Sequence, residues 1–317
     1  MSDLTTLQIS IVVPLFNEDE SLPPLHDWIV KVMEKHNLSY EIIFVNDGST
    51  DNSWKVIEEL ASQNENVRAI CFSRNYGKSA ALDAGFKVVK GKVVITMDAD
   101  LQDSPDEIPE LYDLIKNQNF DLISGWKKKR HDPLSKTLPT KLFNAATRAF
   151  SGIQLNDFNC GLKAYDAEVV KTLNVYGEMH RYIPVLAKWN GFTKIGEKVV
   201  EHRARQFGST KFGLERFTNG LLDLLSVTFI TRFKKKPMHF FGTLGLLSFF
   251  IGFGIAFWLL LEKFLGIHVR EPVDMPIFYI SLMAISVGTQ LFLAGFVAEM
   301  IVIHSSERND YIISKEI

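Results

Sequence analysis

Residues 238–261 and 276–298 run for 24 and 23 positions without an Asp, Glu, Lys or Arg. As helices rising 1.5 Å per residue they would be roughly 36 and 34 Å long, enough to cross a hydrocarbon layer of about 30 Å. This feature constrains the fold most strongly: the C-terminal part belongs in lipid and the long N-terminal part in water. An average composition of 46% hydrophobic residues and a net charge of −2 over 317 residues hides that division. Arg232, Lys234, Lys235 and Lys236 abut the first run, while Lys263 and Arg270 in the short loop face Glu262, Glu271 and Asp274. The positive-inside rule then puts the N-terminal part and the C-terminal tail in the cytoplasm of a two-span protein of the cell (inner) membrane. MSDLTTLQ at the N-terminus lacks the basic and apolar regions of a signal peptide. Two cysteines, Cys71 and Cys160, fit a reducing compartment better than a structural disulfide.

Residues 8–125 alternate short Val/Ile/Phe-rich runs with helical patterns. The runs are QISIVVPLF, YEIIFVND, VRAICFS, KVVITMDAD and FDLISG; the helices are expected at 22–35, 52–61, 78–89 and 106–116. Such alternation predicts βαβ units: an α/β domain with a mostly parallel sheet and flanking helices. Ligands of these sheets gather at the carboxyl ends of the strands. Asn17 and Glu18 follow the first strand, Asp47 the second, and Asp98 and Asp100 the fourth. A dinucleotide or P-loop motif is missing: Gly252 and Gly254 form the one G-x-G, inside an apolar run, and no G-x-x-x-x-G-K occurs.

Beyond Gly125, residues 126–148 carry Lys127, Lys128, Lys129, Arg130, Lys136, Lys141 and Arg148 against Asp132 alone. Residues 202–211, HRARQFGSTK, form a second basic cluster. Leu214, Phe217, Leu221, Leu225, Phe229 and Phe233 then recur at helical spacing among polar residues, which predicts an amphipathic helix on the membrane surface. The expected divisions are a catalytic domain over 1–211, the amphipathic helix over 212–236 and the membrane region over 237–317.

Asp98-Ala99-Asp100 ends an apolar run with two acids at i and i+2, on one side of a strand. Unpaired they would repel, so a divalent cation is expected between them. Mg²⁺ and Mn²⁺ prefer oxygen ligands, and Mg²⁺ sites commonly combine one or two carboxylates with phosphate oxygens and water. D-x-D alone is a weak signal; its place after a strand, with Asp47 on another strand end, strengthens it.

Six segments in order, PLFNE (14–18), VNDGSTD (45–51), RNYGKSAALDAG (74–85), DADLQDSP (98–105), DFNCGLKAYD (157–166) and RQFGSTK (205–211), resemble the family 2 glycosyltransferases of GT-A fold. Within that family they are most similar to the polyisoprenyl-phosphate branch. The resemblance implies that Asp47 binds the nucleotide base and that Pro14, Leu15, Asn17 and Glu18 line the nucleoside pocket. It implies that Asp98 and Asp100 hold Mg²⁺ or Mn²⁺ against the donor diphosphate, with Ala99 between them and Gln102 nearby. Arg205 and Lys211 would meet phosphate, with Thr210 where serine is usual. Where members of the family often carry an arginine after the fifth strand, Trp126-Lys127 stand here, so Lys127 to Arg130 are assigned as a group to phosphate and to anionic lipid. Asp157 would orient substrate or act as a base, or else brace its loop; Glu18 could equally be a charge at a helix start.

The implied reaction is inverting transfer of a sugar, UDP-glucose being the expected donor, to a polyisoprenyl phosphate. GDP-mannose and other UDP-sugars are the alternatives. A polysaccharide synthase would add Q-x-x-R-W and further spans, and no Arg-Trp pair occurs here. An inactive nucleotide-binding protein would not need the intact set Asp47, Asp98, Asp100, Arg205 and Lys211. The expected partners are the nucleotide sugar, the lipid phosphate and membrane lipids, with no nucleic acid; a homo-oligomer is left open.

Overall fold

The structure, a computed structural model, describes residues 7–128, 134–203, 233, 236–266 and 271–304, with the backbone alone at 134–142 and 303–304. Its contacts divide the chain into a unit up to Thr228 and a unit from Phe229 onward. The expected amphipathic helix over 212–236 lies almost wholly outside the described residues.

In the first unit, strands β1 (Ile9–Leu15), β2 (Tyr40–Asn46), β3 (Val67–Cys71), β4 (Val93–Thr96) and β5 (Leu122–Trp126) alternate with helices α1 (Leu22–Lys35), α2 (Ser53–Gln63), α3 (Lys78–Phe86) and α4 (Ile108–Lys116). Helix α5 (Leu134–Ser151), β6 (Lys163–Asp166), α6 (Ala167–Thr172), α7 (Ile183–Trp189) and β7 (Ile195–Val199) complete it. The strands form one seven-stranded sheet in the order β3-β2-β1-β4-β6-β5-β7. Every residue of β1 and β2 is buried, as expected of Val/Ile-rich strands covered on both faces. Against them packs the apolar stripe of α1, Leu22, Leu25, Ile29, Val32 and Met33. Each such side chain contributes roughly 1.5–3 kcal/mol on burial.

The expectation of a mostly parallel sheet needs one correction. β6 runs antiparallel to both β4 and β5, pairing Lys163 with Thr96 and with Ser124. Four residues beginning with lysine and ending with aspartate carry too little apolar pattern to announce a strand. Yet this reversal delivers the segment before β6, Asp157–Leu162, to the carboxyl end of β4. Parallel register does the same for the first strands: Leu15 lies opposite Asn46, and Val12 opposite both Ile43 and Thr96. The residues after β1, β2 and β4 therefore emerge at one edge.

The second unit contains α8 (Pro237–Phe264) and α9 (Pro276–His304). A core helix of a soluble protein is mostly buried, whereas the most apolar stretches of these two are 22% and 17% buried. Phe250, Trp258, Met283 and Ile301 are all more than half exposed. They are candidate membrane spans, slightly longer than the uncharged runs. Glycines let them touch: a Cβ on Gly245 would lie 2.7 Å from Gly288 O, and one on Gly252 would lie 2.6 Å from Ser281 O. Small residues at such contacts are how apolar helices associate without a hydrophobic driving force.

Candidate active site

The turn after β2 starts with Asp47, which is buried. Its two carboxylate oxygens accept from the N–H groups of Tyr76 at 2.6 Å and Gly77 at 2.9 Å, just ahead of α3. The next residue, Gly48, has φ +68°, and a Cβ there would come within 2.3 Å of the Arg74 carbonyl carbon, so the glycine of VNDGSTD is a steric necessity. The turn after β1 closes onto the same place. Asn17, at φ 56°, accepts from Thr50 N–H at 2.8 Å and gives its own N–H to Ser49 Oγ at 2.9 Å. Glu18 N–H donates to Ser53 Oγ, and the Glu18 carboxylate accepts from Ser21 Oγ at the start of α1.

Of the residues expected to line a nucleoside pocket, Asn17 and Glu18 are part-exposed, while Pro14 and Leu15 lie inside β1. Leu15 packs in the core and offers its carbonyl to Asp47 N–H at 2.9 Å. It therefore supports the Asp47 turn from behind. Ala99 likewise packs in the core.

Asp98 and Asp100 are not on the strand, because β4 ends at Thr96. They sit in a turn reversed by Leu101 at φ 59°, a left-handed conformation costing a branched residue roughly 1–2 kcal/mol. Gln102 N–H caps Asp100 Oδ1 at 3.2 Å. Asp98 bonds Lys78 from α3. Burial opposes its charge, but the ammoniums of Lys78, Lys127 and Lys163 outweigh it and hold the carboxyl down at about 2. Burial, then the charges of Asp98 and Asp103, push Asp100 up to about 6. Asp103 is fully buried and takes Lys127 at 2.7 Å, so Asp100 alone of the three has no ammonium within ion-pair distance among the described residues.

That donor set fits a divalent cation. Two carboxylates are offered, one of them destabilised by negative neighbours, and among the described residues no cluster of three or more His, Cys, Asp or Glu is built to hold a metal. A hard ion here would take its remaining ligands from phosphate and water, the pattern of Mg²⁺ with a nucleotide.

Two further segments meet this turn. Gly161, before β6, lies so close to Asp98 that a Cβ there would sit 2.5 Å from Oδ2. Asp157, four residues earlier, is buried; its Oδ1 accepts from Asn159 N–H and its carbonyl from Ser124 Oγ. After β7, Arg203 N–H donates to Gln102 O at 3.0 Å, and His202 bridges Asp103. Arg205 and Lys211 lie outside the described residues.

The basic stretch after β5 is corrected in part. Lys127 is half-buried against the fully buried Asp103; its partial burial opposes the charge, but the Asp103 carboxylate holds the ammonium firmly protonated. It serves the interior, not the lipid surface, because a buried carboxylate requires a cation. Lys128 lies over the Trp126 ring, and Arg148 donates to Leu155 O. Lys129 and Arg130 lie outside the described residues.

The profile of the family described as Glycosyl transferase family 2 matches residues 10–173, the segment that forms β1 to α6. The chain belongs to this family. A dodecaprenyl-phosphate galacturonate synthase from Rhizobium johnstonii is 36% identical over 304 residues, covering 93% of this chain and 88% of the relative. An undecaprenyl-phosphate 4-deoxy-4-formamido-L-arabinose transferase from Shewanella sediminis is 35% identical over 295 residues, covering 92% and 86%. Among solved structures, glucosyl-3-phosphoglycerate synthase from Mycobacterium tuberculosis, in complex with Mn²⁺ and UDP-glucose, superposes with TM-score 0.55 at 21% identity over 70% of this chain and 79% of that one. That likeness establishes the GT-A type fold.

Sequence reasoning about this family 2 glycosyltransferase overlooked Lys78, Asp103 and Lys163. All three stand inside quoted segments, and a usable signal was present for Lys163: a lysine in the apolar run GLKAY has to find an acid or a carbonyl when buried. It bonds the Cys160 carbonyl.

Proposed function

We propose that this glycosyltransferase moves one sugar from a nucleotide diphosphate donor to a polyisoprenyl phosphate at the cytoplasmic face of a membrane. The observation that carries this reading is the 98–103 turn. Three buried or part-buried acids share two lysines there, leaving a place for a divalent cation at the end of β4. The names of the 36% and 35% identical relatives support the lipid phosphate acceptor. The UDP-glucose bound by the fold neighbour supports a UDP donor and leaves the sugar open. The two apolar helices support a membrane setting, with 1–211 as the catalytic part and 212–236 as its surface helix.

Asp98 and Asp100 would hold Mg²⁺ or Mn²⁺, which when bound neutralises charge on the leaving diphosphate. Asp47 and Asn17 shape the nucleoside side: two N–H groups fix the Asp47 carboxylate, and a carboxylate with about four acceptor sites can still take one from a base. Glu18 and Gln102 orient the two turns. A phosphate monoester, second pKa about 6, is largely dianionic at pH 7 and attacks without a base. Asp157, tied to Asn159 and Ser124, is then a positioning residue for its loop. Arg205 and Lys211 would receive the acceptor phosphate, and a single displacement inverts the anomeric carbon.

The test is incubation of membranes with radiolabelled nucleotide sugars, followed by extraction with organic solvent. Metal-dependent, lipid-soluble label is expected, abolished by EDTA and restored by Mg²⁺ or Mn²⁺. Label in an insoluble polymer, or full transfer after exhaustive metal removal, would refute the reading.

A further inference from the structure

Gln290 is the one amide side chain in the two uncharged runs 238–261 and 276–298. It is the fifteenth of the 29 residues of α9, about 21 Å from either end. The face that α9 turns to α8 is marked by Gly288 and Gly295: a Cβ on the first would lie 2.5 Å from Phe249 N, and one on the second 2.9 Å from Phe241 Cβ. Two residues on from Gly288 is just over half a turn, so Gln290 stands on the opposite side, where it is exposed. In the membrane setting proposed above, on which this inference rests, that side is hydrocarbon. The layer is about 30 Å thick, so a residue halfway along the helix lies near its middle, beyond reach of the headgroups. Hydroxyls of the same helix return their protons to it: Ser281 Oγ donates to Phe278 O at 2.6 Å and Thr289 Oγ to Ile285 O at 2.9 Å. Among the described residues the Gln290 amide has no hydrogen bond. It carries two donor hydrogens and an acceptor oxygen, and lipid tails match none of them.

The neighbours of Gln290 say what covers it. Met283, Ser286, Gln290, Leu293 and Val297 follow one another at spacings of three, four, three and four, and all five are exposed. That is the spacing of the seam between two helices of a left-handed pair. Helix α8 occupies the other face, and an isoprenoid tail is hydrocarbon with nothing to offer an amide. A second copy of this chain, inserted the same way up, brings its own Gln290 to the same depth without further coincidence. About a two-fold axis each amide can then donate to the oxygen of the other. We propose that α9 packs on the α9 of a second copy along this seam, held in register by reciprocal Gln290 hydrogen bonds. The protein in the membrane is therefore a homo-oligomer with at least two chains.

The test uses the full-length chain in lipid vesicles, with Cys71→Ser removing the exposed thiol. In that background Leu293→Cys, on the seam, should form a disulfide-linked dimer on oxidation with copper phenanthroline. Phe296→Cys, comparably exposed but off the seam, should not. Energy transfer between donor- and acceptor-labelled chains, followed on dilution with lipid, measures the strength of association. Gln290→Leu should weaken it about three- to twentyfold, the range for one hydrogen bond between membrane helices. Gln290→Asn, which keeps the amide, should retain most of it. Trapping at 296 equal to that at 293, or none at 293, would overturn the proposal. So would a Gln290→Leu variant that associates as tightly as the parent. A chain that stays in the vesicles through alkaline carbonate yet shows no energy transfer would refute the interface alone. Release by alkaline carbonate would instead refute the membrane setting, and with it the need of Gln290 for a partner.

Discussion

At the amino ends of the strands Glu41 is buried and matched on every side. Ser10 Oγ and Arg68 Nη1 each reach it at 2.6 Å, and Lys90 N–H donates at 2.7 Å. At the carboxyl ends Asp98, Asp100 and Asp103 crowd into six residues with two direct lysine partners, and among the described residues Asp103 Oδ2 has no hydrogen-bond donor. The same sheet thus buries acids in two ways. One site is closed, and its charge is consumed by the fold. The other keeps negative charge in excess, at a cost in stability that the fold alone does not recover. Excess of that kind is the physical mark of a site awaiting a cationic ligand.

The most direct way to break this contrast is to neutralise the open end. Asp98→Asn or Asp100→Asn should lower sugar transfer by about 10³-fold, or roughly 4 kcal/mol of transition-state stabilisation, since the cation loses its protein ligand. Asp100→Asn should at the same time raise or preserve the melting temperature, because it removes repulsion from Asp98 and Asp103. Transfer assays and thermal unfolding on the same preparations decide this. A variant that melts lower and transfers normally would show that the 98–103 turn is structural.

Lys127 sharpens the comparison from inside. It pairs with the fully buried Asp103 at the open end, so Lys127→Met leaves Asp103 charged and unmatched, at a cost of about 3 kcal/mol. The double variant Lys127→Met with Asp103→Asn should recover much of that loss. Denaturation in detergent compares them, and a single variant as stable as the parent would mean that Lys127 is held by packing, not by charge.

The closed and open ends were unequally legible in the sequence. β1 to β5 and their helices follow from apolar runs and their spacing, and their ends fall within a few residues of expectation. Asp98 and Asp100 stood out because acids after a buried strand are costly. What stayed hidden was partnership across long separations. Asp103 meets Lys127 and Asp98 meets Lys78 only once the strand order is known. β6, four residues long with a charge at each end, gave no periodicity, although its reversal brings Lys163 and Gly161 to the site. Lys127 was read as surface charge for the same reason: composition counts lysines without showing which acids are buried.

Glu41 offers the smallest effect and the cleanest control. Glu41→Gln keeps the shape and one acceptor oxygen but removes the charge that Arg68 meets. The Arg68 side chain is 36% exposed, so its guanidinium can turn to water in place of staying buried and unmatched. The loss should therefore be about 1–2 kcal/mol, that of a hydrogen bond to a charged group and not of a stranded ion. Glu41 lies at the far end of β2 from Asp47, and transfer per folded molecule should not change. Melting temperature and specific transfer activity, measured together, set this variant against Asp100→Asn: one should lose stability and keep activity, the other the reverse. If Glu41→Gln lowered activity as much as stability, the two ends of the sheet would be coupled, and a division into a closed structural site and an open functional one would not describe this protein.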